Sequence, residues 1–366
     1  MALQVGIVGL PNVGKSTLFN ALTRANAPVA SYPFTTIEPN VGVVEVPDER
    51  LQDIATIVRP ERLVPTTMKF VDLAGLVRGA SQGEGLGNQF LGYIRNVDAI
   101  AMVVRCFRAP QIPHVTEALD PREDMEVVNL ELILADLATV ERRLEKVRPK
   151  ARARPKEYAD ELALLERLHE HLGAGRAARE LGRSGEEGEL LQELNLLTDK
   201  PLLYVANVGE EDLPEGGALA AVVREAAALE GAEPLVLCAQ LEAELADWPP
   251  DEAQAYRAEL GLAGSGLQRL IAAGYALLGL ITFFTTTGGQ EVRAWTLRQG
   301  ATALEAAGKI HSDMQRGFIR AEVVSYQDLM RAGSFTAARE QGRIRIEGRD
   351  YVVQDGDIIH VRFRQP

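Results

Sequence analysis

The feature that most constrains the fold is a glycine-rich loop between a strand-like run and a helix-like run near the start of the chain. Residues Gly9–Thr17 read Gly-Leu-Pro-Asn-Val-Gly-Lys-Ser-Thr and follow the apolar run Leu3–Gly9. The glycines let consecutive backbone N–H groups turn toward one anion, and the following helix adds the positive end of its dipole. This P-loop pattern predicts a bound nucleotide, with Lys15 on the β- and γ-phosphates and Ser16 on Mg²⁺.

The residues expected to surround the phosphates are consecutive. Lys15 is also expected to act in catalysis, because its charge opposes the charge that builds on the transferred phosphoryl group. The predicted phosphate-binding set is Asn12, Val13, Gly14, Lys15, Ser16 and Thr17.

Two further segments are expected to reach the phosphates. Residues 72–75 read Asp-Leu-Ala-Gly at the end of a strand-like run. The Asp72 carboxylate would hold Mg²⁺ through water, and the Gly75 N–H would contact the γ-phosphate. Between the P-loop and this turn, Thr36 rather than Thr35 is expected to ligate Mg²⁺ when a γ-phosphate is present. Away from a P-loop, each of these patterns would indicate only a polar turn.

Strand-like and helix-like runs alternate on both sides of a long helical segment. This alternation predicts an α/β domain with a mostly parallel sheet and flanking helices. Its predicted strands after the first are Val41–Val46, Thr66–Leu73, Ala99–Phe107, Pro201–Asn207 and Pro234–Ala239, and its predicted helices are Lys15–Thr23, Ala218–Glu230 and Gly266–Leu278.

Residues 131–193 contain no strand-like run. Apolar residues recur there at alternating spacings of four and three, the seam of a coiled coil: Ile133, Leu137, Val140, Leu144 and Val147. Pro149 and Pro155 do not suit a helix interior and place the tip of a helical hairpin near residues 148–156. The alternative is two amphipathic helices that lie flat on the domain.

The last 86 residues change character, with a ββαβ pattern typical of a small ubiquitin-like roll. The sequence therefore predicts three parts. Residues 1–130 and 194–280 form the nucleotide-binding domain, residues 131–193 the inserted hairpin, and residues 281–366 the C-terminal β-grasp domain.

The base-binding residues are expected at the ends of two later strands. Residues 207–210 read Asn-Val-Gly-Glu where a P-loop GTPase carries Asn-Lys-x-Asp, so Val208 replaces the lysine and Glu210 the aspartate. Cys238, Ala239 and Gln240 follow the next strand and match the loop whose backbone N–H contacts the base. Because Glu210 changes the reach of the carboxylate, ATP is expected to bind at least as well as GTP. The alternative is that Glu210 does the work of the aspartate in a GTP-specific enzyme.

Together these motifs resemble the YchF family of Obg-like ATPases within the translation-factor class of P-loop GTPases. The matching stretches are Gly9–Thr17, Tyr32–Asn40, Asp72–Leu91, the Asn-x-x-Glu variant and the C-terminal module. The resemblance implies an inserted coiled coil, a C-terminal TGS domain of β-grasp type, a preference for ATP, and association with the ribosome (large subunit or 70S) or RNA.

The resemblance also implies an unusual catalytic arrangement. Leu76 stands where ordinary GTPases have the glutamine that orients the attacking water, so slow intrinsic turnover is expected. His114, in the loop after the Arg-Cys-Phe strand, is a candidate for acting on the γ-phosphate; the alternative is a surface histidine. In related GTPases, an asparagine at the position of Asn12 helps hold K⁺, which makes K⁺ a candidate second cation.

Composition limits the partners and the compartment. The net charge of −13 argues against non-specific coating of nucleic acid, yet residues 142–156 hold a dense basic run that is a candidate RNA or ribosome contact. The alternative is a solvated helix face. Two cysteines, no apolar run long enough to cross a bilayer and no signal-peptide pattern favour a cytoplasmic protein without a membrane partner. The basic residues are Arg142, Arg143, Lys146, Arg148, Lys150, Arg152, Arg154 and Lys156.

Two functional classes fit the sequence. The first is a Mg²⁺-dependent nucleoside-triphosphate hydrolase that acts as a slow, ribosome- or RNA-associated switch. The second is a ribosome- or RNA-binding adaptor in which bound nucleotide is a slow regulator with little turnover.

Overall fold

The computed structural model describes residues 3–25, 39–73, 75–76, 79, 86–114, 118–182, 187–230, 232, 234–287 and 289–364. The chain divides into two compact units. The first contains Leu3–Val43 and Lys69–Leu270, and the second contains Val44–Met68 and Ile271–Pro366.

The strands are numbered in chain order. They are β1 (Gln4–Val8), β2 (Asn40–Glu45), β3 (Arg62–Val64), β4 (Thr67–Asp72), β5 (Ala99–Cys106), β6 (Leu202–Val208), β7 (Leu235–Leu237), β8 (Leu280–Thr287), β9 (Glu291–Arg298), β10 (Phe318–Ser325), β11 (Arg345–Glu347) and β12 (Asp357–Phe363).

The α-helices are numbered in the same way. They are α1 (Lys15–Ala25), α2 (Glu49–Val58), α3 (Leu86–Asn96), α4 (Pro121–Ala153), α5 (Pro155–Gly173), α6 (Glu187–Leu194), α7 (Gly217–Leu229), α8 (Ala239–Leu245), α9 (Pro250–Glu259), α10 (Gly266–Leu277), α11 (Ala303–Ile310), α12 (Ser312–Arg316), α13 (Tyr326–Ala332) and α14 (Phe335–Glu340).

The predicted α/β sheet is confirmed. Its strand order is β2-β4-β1-β5-β6-β7, and the pairs from β4 through β7 are parallel. Every residue of β5 and β6 is buried, as expected for central strands covered on both faces. The carboxyl ends of β1, β4, β5, β6 and β7 therefore lie along one edge, where a doubly wound sheet binds its ligand.

The inserted segment is a helical hairpin of α4 packed against α5. Its buried core combines the predicted seam with the second helix, including Val140, Leu144, Leu165 and Leu168. The helix α4 begins earlier than expected, where Asp120 accepts hydrogen bonds from the backbone N–H groups of the first turn.

Pro149 contradicts the expectation that the prolines lie between the helices, because it lies inside α4. Val147 and Ala151 are buried one turn apart on either side of it, while Pro149 itself is exposed. Burial of the residues on both sides thus stabilises a continuous helix, although Pro149 lacks a backbone N–H donor. Pro155 occupies the first turn of α5, where a missing N–H costs nothing.

The predicted ββαβ order of the C-terminal part is present, and the second sheet has the order β11-β10-β12-β8-β9-β3. The strand β3 pairs in parallel with β9. The stretch 44–68, which the sequence analysis placed in the nucleotide-binding domain, therefore packs with the C-terminal unit. Leu51 and Ile54 of α2 join the same core as Phe284 and Val292.

Candidate functional site: a nucleotide pocket at the carboxyl edge of the parallel sheet

The P-loop backbone takes a conformation that its glycines allow. Gly9 has φ +154° and Gly14 has φ +99°. A Cβ atom on Gly9 would overlap the Val103 carbonyl oxygen, and one on Gly14 would overlap the amide of Asn207. Asn12 adopts the left-handed region with φ 63°, a conformation that asparagine tolerates better than most residues. The close approach of neighbouring strands thus requires glycine at both positions.

The residues predicted to contact phosphate and Mg²⁺ lie together. The Lys15 ammonium is buried and donates to the Leu10 carbonyl at 2.7 Å, and the Ser16 hydroxyl donates to Asp72 Oδ2 at 3.0 Å. Burial lowers the pKa of Lys15 to about 8, against the opposing effect of Asp72. Burial also raises the pKa of Asp72, which the Ser16 hydrogen bond and Lys15 oppose. The site therefore presents two adjacent oxygens and a cation beside the P-loop.

A cavity of about 620 Å³ extends from the P-loop along the sheet edge. One end is lined by P-loop residues and the other by the predicted base-binding residues. A third wall comes from residues 107–112, after β5, which belong to none of the predicted nucleotide-binding motifs. The lining includes Asn12, Gly14, Thr17, Phe107, Ile112, Asn207, Val208, Glu210, Cys238, Ala239 and Gln240.

Asn207 joins the two ends of this cavity. Its Nδ2 donates to the Val13 carbonyl at 2.8 Å, and its Oδ1 accepts from the Ala239 N–H at 2.9 Å. The residue is only 4% exposed. Asn207 was expected among the base-binding residues, yet both polar atoms of its amide bind protein backbone. Asn207 therefore links the P-loop to the segment that follows β7, and this link is called the Asn207 clamp below.

Two carboxylates of the cavity wall accept hydrogen bonds from neighbouring side chains. Glu210 Oε1 accepts from the Tyr256 hydroxyl at 2.6 Å, and Glu244 Oε1 accepts from Gln240 Nε2 at 2.7 Å. Cys238 is buried, and its Sγ accepts from the Leu241 N–H at the start of α8. Tyr256 was not predicted, because 46 residues separate it from Glu210 and no motif links them.

The loop after β5 is organised by Arg105. Its guanidinium donates to the carbonyl oxygens of Phe107, Ala109 and Ile112, and stands 4.7 Å from the centre of the Phe107 ring. Asn12 Nδ2 donates to the Pro113 carbonyl at 3.1 Å. The P-loop is therefore connected directly to the segment that carries the predicted histidine.

His114 lies in this segment and contacts the helix α4. Its Nε2 is 3.1 Å from Asp124 Oδ2, and the side chains of both residues are largely buried. Burial raises the pKa of Asp124, while His114 lowers it. The contact with Asp124 argues against a simple surface histidine and directs the imidazole toward the start of α4. The sequence held no signal for this partner.

The turn after β4 is packed tightly. Leu76 is 1% exposed, and its N–H donates to the Gly9 carbonyl at 3.1 Å. A Cβ on Gly75 would lie 3.0–3.1 Å from Pro11. Gly79 donates its N–H to the Glu131 carboxylate of α4 at 2.6 Å. Thr36 and Thr35 lie outside the described residues.

Comparison with known proteins decides the family. A family model described as 50S ribosome-binding GTPase matches residues 4–163, and the model of the YchF GTPase C-terminal domain, described as a protein of unknown function, matches residues 280–364. The ribosome-binding ATPase YchF of Bacillus subtilis is 53% identical over 99% of this chain and 100% of its own length. The chain belongs to the YchF family. The Haemophilus influenzae member is 50% identical over 99% of both chains.

A solved structure agrees with this assignment over the whole chain. The YchF GTPase of Schizosaccharomyces pombe is 36% identical and matches with a TM-score of 0.88 over 99% of this chain and 98% of its own. The resemblance to the YchF family and the fold class predicted from the motifs are therefore confirmed.

The basic run of this YchF-family chain is partly neutralised by its neighbours. Arg143 contacts Glu161 and Glu193, Arg148 contacts Glu166, and Arg154 contacts Glu157. Lys146, Arg152 and Lys156 are exposed, as are the salt-bridged Arg148 and Arg154. The run therefore combines a salt-bridged face with cations that point into solvent.

The described ranges contain no group of three or more His, Cys, Asp or Glu side chains able to hold a metal ion. The described helices also include none that is long and apolar enough to span a membrane. The Ser16–Asp72 pair offers oxygen ligands, which are those that Mg²⁺ prefers beside nucleotide phosphates.

Proposed function

We propose that this chain is a Mg²⁺-dependent nucleoside-triphosphate hydrolase that binds ribosomes in the cytoplasm and uses ATP at least as well as GTP. The observation that supports the proposal is that Lys15 and Ser16 lie beside Asp72, while their P-loop neighbours Asn12, Gly14 and Thr17 line a cavity at the carboxyl edge of the sheet. The names of the relatives, ribosome-binding ATPases at about half identity, supply the partner and the nucleotide.

In this proposal each site residue has a separate role in phosphoryl transfer. Lys15 binds the β- and γ-phosphates, the P-loop N–H groups orient them, and Gly75 donates its N–H to the γ-phosphate. Ser16, Thr36 and Asp72 would hold Mg²⁺, the last through water. When bound, Mg²⁺ neutralises charge on the phosphate oxygens.

Base preference is the second part of the proposal. The Tyr256 hydroxyl binds the Glu210 carboxylate, which stands in place of the aspartate that reads guanine in ordinary P-loop GTPases. Val208, Cys238, Ala239 and Gln240 complete the wall of the base cavity. An adenine needs an acceptor for one amino group, whereas guanine presents two adjacent donors. The hydrogen-bonded carboxylate supports ATP as a substrate at least as good as GTP.

A second candidate, an adaptor with little turnover, is favoured by two described residues at positions where a water-orienting group was expected. Leu76 is buried, and His114 contacts Asp124.

For the hydrolase, by contrast, we propose that His114 acts on the γ-phosphate or on water, in a slow reaction that a ribosomal partner accelerates. The adaptor requires instead that hydrolysis stay negligible with ribosomes present.

Single-turnover hydrolysis separates these candidates. ATP and GTP are each mixed with excess protein, with and without 70S ribosomes or large subunits, in Mg²⁺ buffer. Hydrolysis that ribosomes stimulate supports the switch, whereas none under any condition supports the adaptor. Lys15→Ala is expected to abolish turnover while Lys309→Ala, a lysine of the second unit, leaves it unchanged. Wild-type rates in Lys15→Ala would contradict the site.

The exposed cations of the hairpin are proposed to contact ribosomal RNA, together with the TGS domain. The double variant Lys146→Glu with Arg152→Glu is expected to weaken ribosome binding and flatten its salt dependence, since each phosphate contact contributes about 0.7–0.9 to the slope of log K against log salt. Arg122→Glu with Arg224→Glu changes the net charge equally, at the start of α4 and on α7. Equal binding by both double variants would identify the run as a solvated face.

A further inference from the structure

Tyr256 contacts the base cavity without belonging to any nucleotide motif. It lies on α9, and its hydroxyl donates to Glu210 Oε1 at 2.6 Å. Glu210 lines the cavity. The Tyr256 ring is itself supported by Trp248, whose ring centre is 5.5 Å away. A carboxylate of the cavity wall is therefore hydrogen-bonded by a residue of α9.

We propose that Tyr256 is a specificity-determining residue that disfavours guanine by holding the Glu210 carboxylate toward α9. The inference rests on the proposed preference for ATP and names a cause for it within this chain. Tyr256 acts through Glu210, so it is a positioning residue rather than a direct contact of the base.

The chemistry of the two bases explains the direction. A carboxylate reads guanine by accepting from N1–H and the 2-amino group together, which requires both of its oxygens to face the base edge. The bond from Tyr256 to Oε1 favours one rotation of the Glu210 carboxylate, and turning both oxygens to that edge strains or breaks a hydrogen bond to a charged group. Adenine presents no such donor pair, so it loses nothing when the carboxylate is held.

The Tyr256 hydroxyl is a dependable donor at neutral pH. The hydrogen bond to Glu210 and the charge of that carboxylate raise the pKa of Tyr256, so the phenol keeps its proton. Two other carboxylates line the same wall, Glu211 and Glu244, and Gln240 holds Glu244 in a similar way. An acidic wall that would attract guanine is thus partly occupied by donors of the protein.

The test is the ratio of ATP and GTP affinities in Tyr256→Phe, which keeps the ring against Trp248 and removes the hydroxyl. Dissociation constants are measured with nucleotide-free protein and both nucleotides. We expect the ratio to shift about tenfold toward GTP, a change that a general loss of structure would not cause because both nucleotides share the phosphates. Tyr326→Phe removes a matched tyrosine–carboxylate bond, to Asp53 in the second unit, and is expected to leave the ratio unchanged.

A double-mutant cycle assigns the effect to Glu210. In a Glu210→Gln background, adding Tyr256→Phe is expected to leave the ratio unchanged, because the carboxylate that the tyrosine positions is gone. An unchanged ratio in Tyr256→Phe alone, or an equal shift in both backgrounds, would overturn the inference. The wild-type ratio tests the preference separately: wild type that favours ATP with no shift in Tyr256→Phe refutes only the role of Tyr256.

Discussion

Replacing Asn207 by alanine tests whether one buried amide joins the phosphate and base halves of the pocket. The variant removes the hydrogen bond from Nδ2 to Val13 and the one from Ala239 to Oδ1. Both backbone groups then lie buried without a partner. At about 1–3 kcal/mol for each unsatisfied group, the free energy of unfolding should fall by about 2–6 kcal/mol.

The measurement uses the two tryptophans of the chain. Trp248 lies in the first unit and Trp295 in the second, so a Trp295→Phe background leaves Trp248 fluorescence as a probe of the unit that holds the nucleotide. Urea unfolding followed by this signal gives the stability of Asn207→Ala against its parent. ATP affinity should fall as well, because the P-loop and the loop after β7 lose their common anchor.

The aspartate variant separates the two hydrogen bonds. Asn207→Asp keeps an acceptor for the Ala239 N–H and loses the donor to the Val13 carbonyl, so it should still be destabilised, with two oxygens facing each other. A loss below about 0.5 kcal/mol in Asn207→Ala, the size typical of a surface substitution, would refute the clamp.

Three further predictions concern the loop after β5, the cation and the hairpin. His114→Ala should lower single-turnover hydrolysis with little change in ATP affinity, and Asp124→Asn should lower it in the same direction; an unchanged rate in His114→Ala would return the histidine to a structural role. Hydrolysis should be faster in K⁺ than in Na⁺ at equal ionic strength, and Asn12→Ala should remove the difference; a ratio that survives in Asn12→Ala contradicts the cation site. Leu144→Ala, in the buried core between α4 and α5, should lower the free energy of unfolding by about 2–5 kcal/mol in urea titrations followed by circular dichroism, and no loss would contradict the packed hairpin.

Much of the architecture was predictable because its signals are local. The P-loop acts through its own backbone N–H groups and the helix that follows, so nine consecutive residues suffice to predict it. The heptad seam from Ile133 to Val147 marks a buried helix face wherever that helix lies. The C-terminal ββαβ order follows from alternation and turn residues in the same way. Each of these patterns predicts a structure that forms among residues adjacent or regularly spaced in the sequence.

The exceptions show where local signals end. Pro149 was expected to end a helix, but burial of Val147 and Ala151 on either side outweighs the loss of one backbone donor. The stretch 44–68 was expected in the nucleotide-binding domain by its place in the chain. It packs instead with the C-terminal unit because β3 completes the edge of that sheet beside β9.

By itself, the sequence determined the phosphate loop, the family and the order of the folded parts, because each depends on residues that are adjacent or regularly spaced. Only the tertiary structure decided what the site residues bind: Asn207 with Val13 and Ala239, Glu210 with Tyr256, His114 with Asp124. These partners lie on different strands and helices. Sheet order and helix packing bring them within hydrogen-bond distance, and no motif in a linear sequence records that proximity.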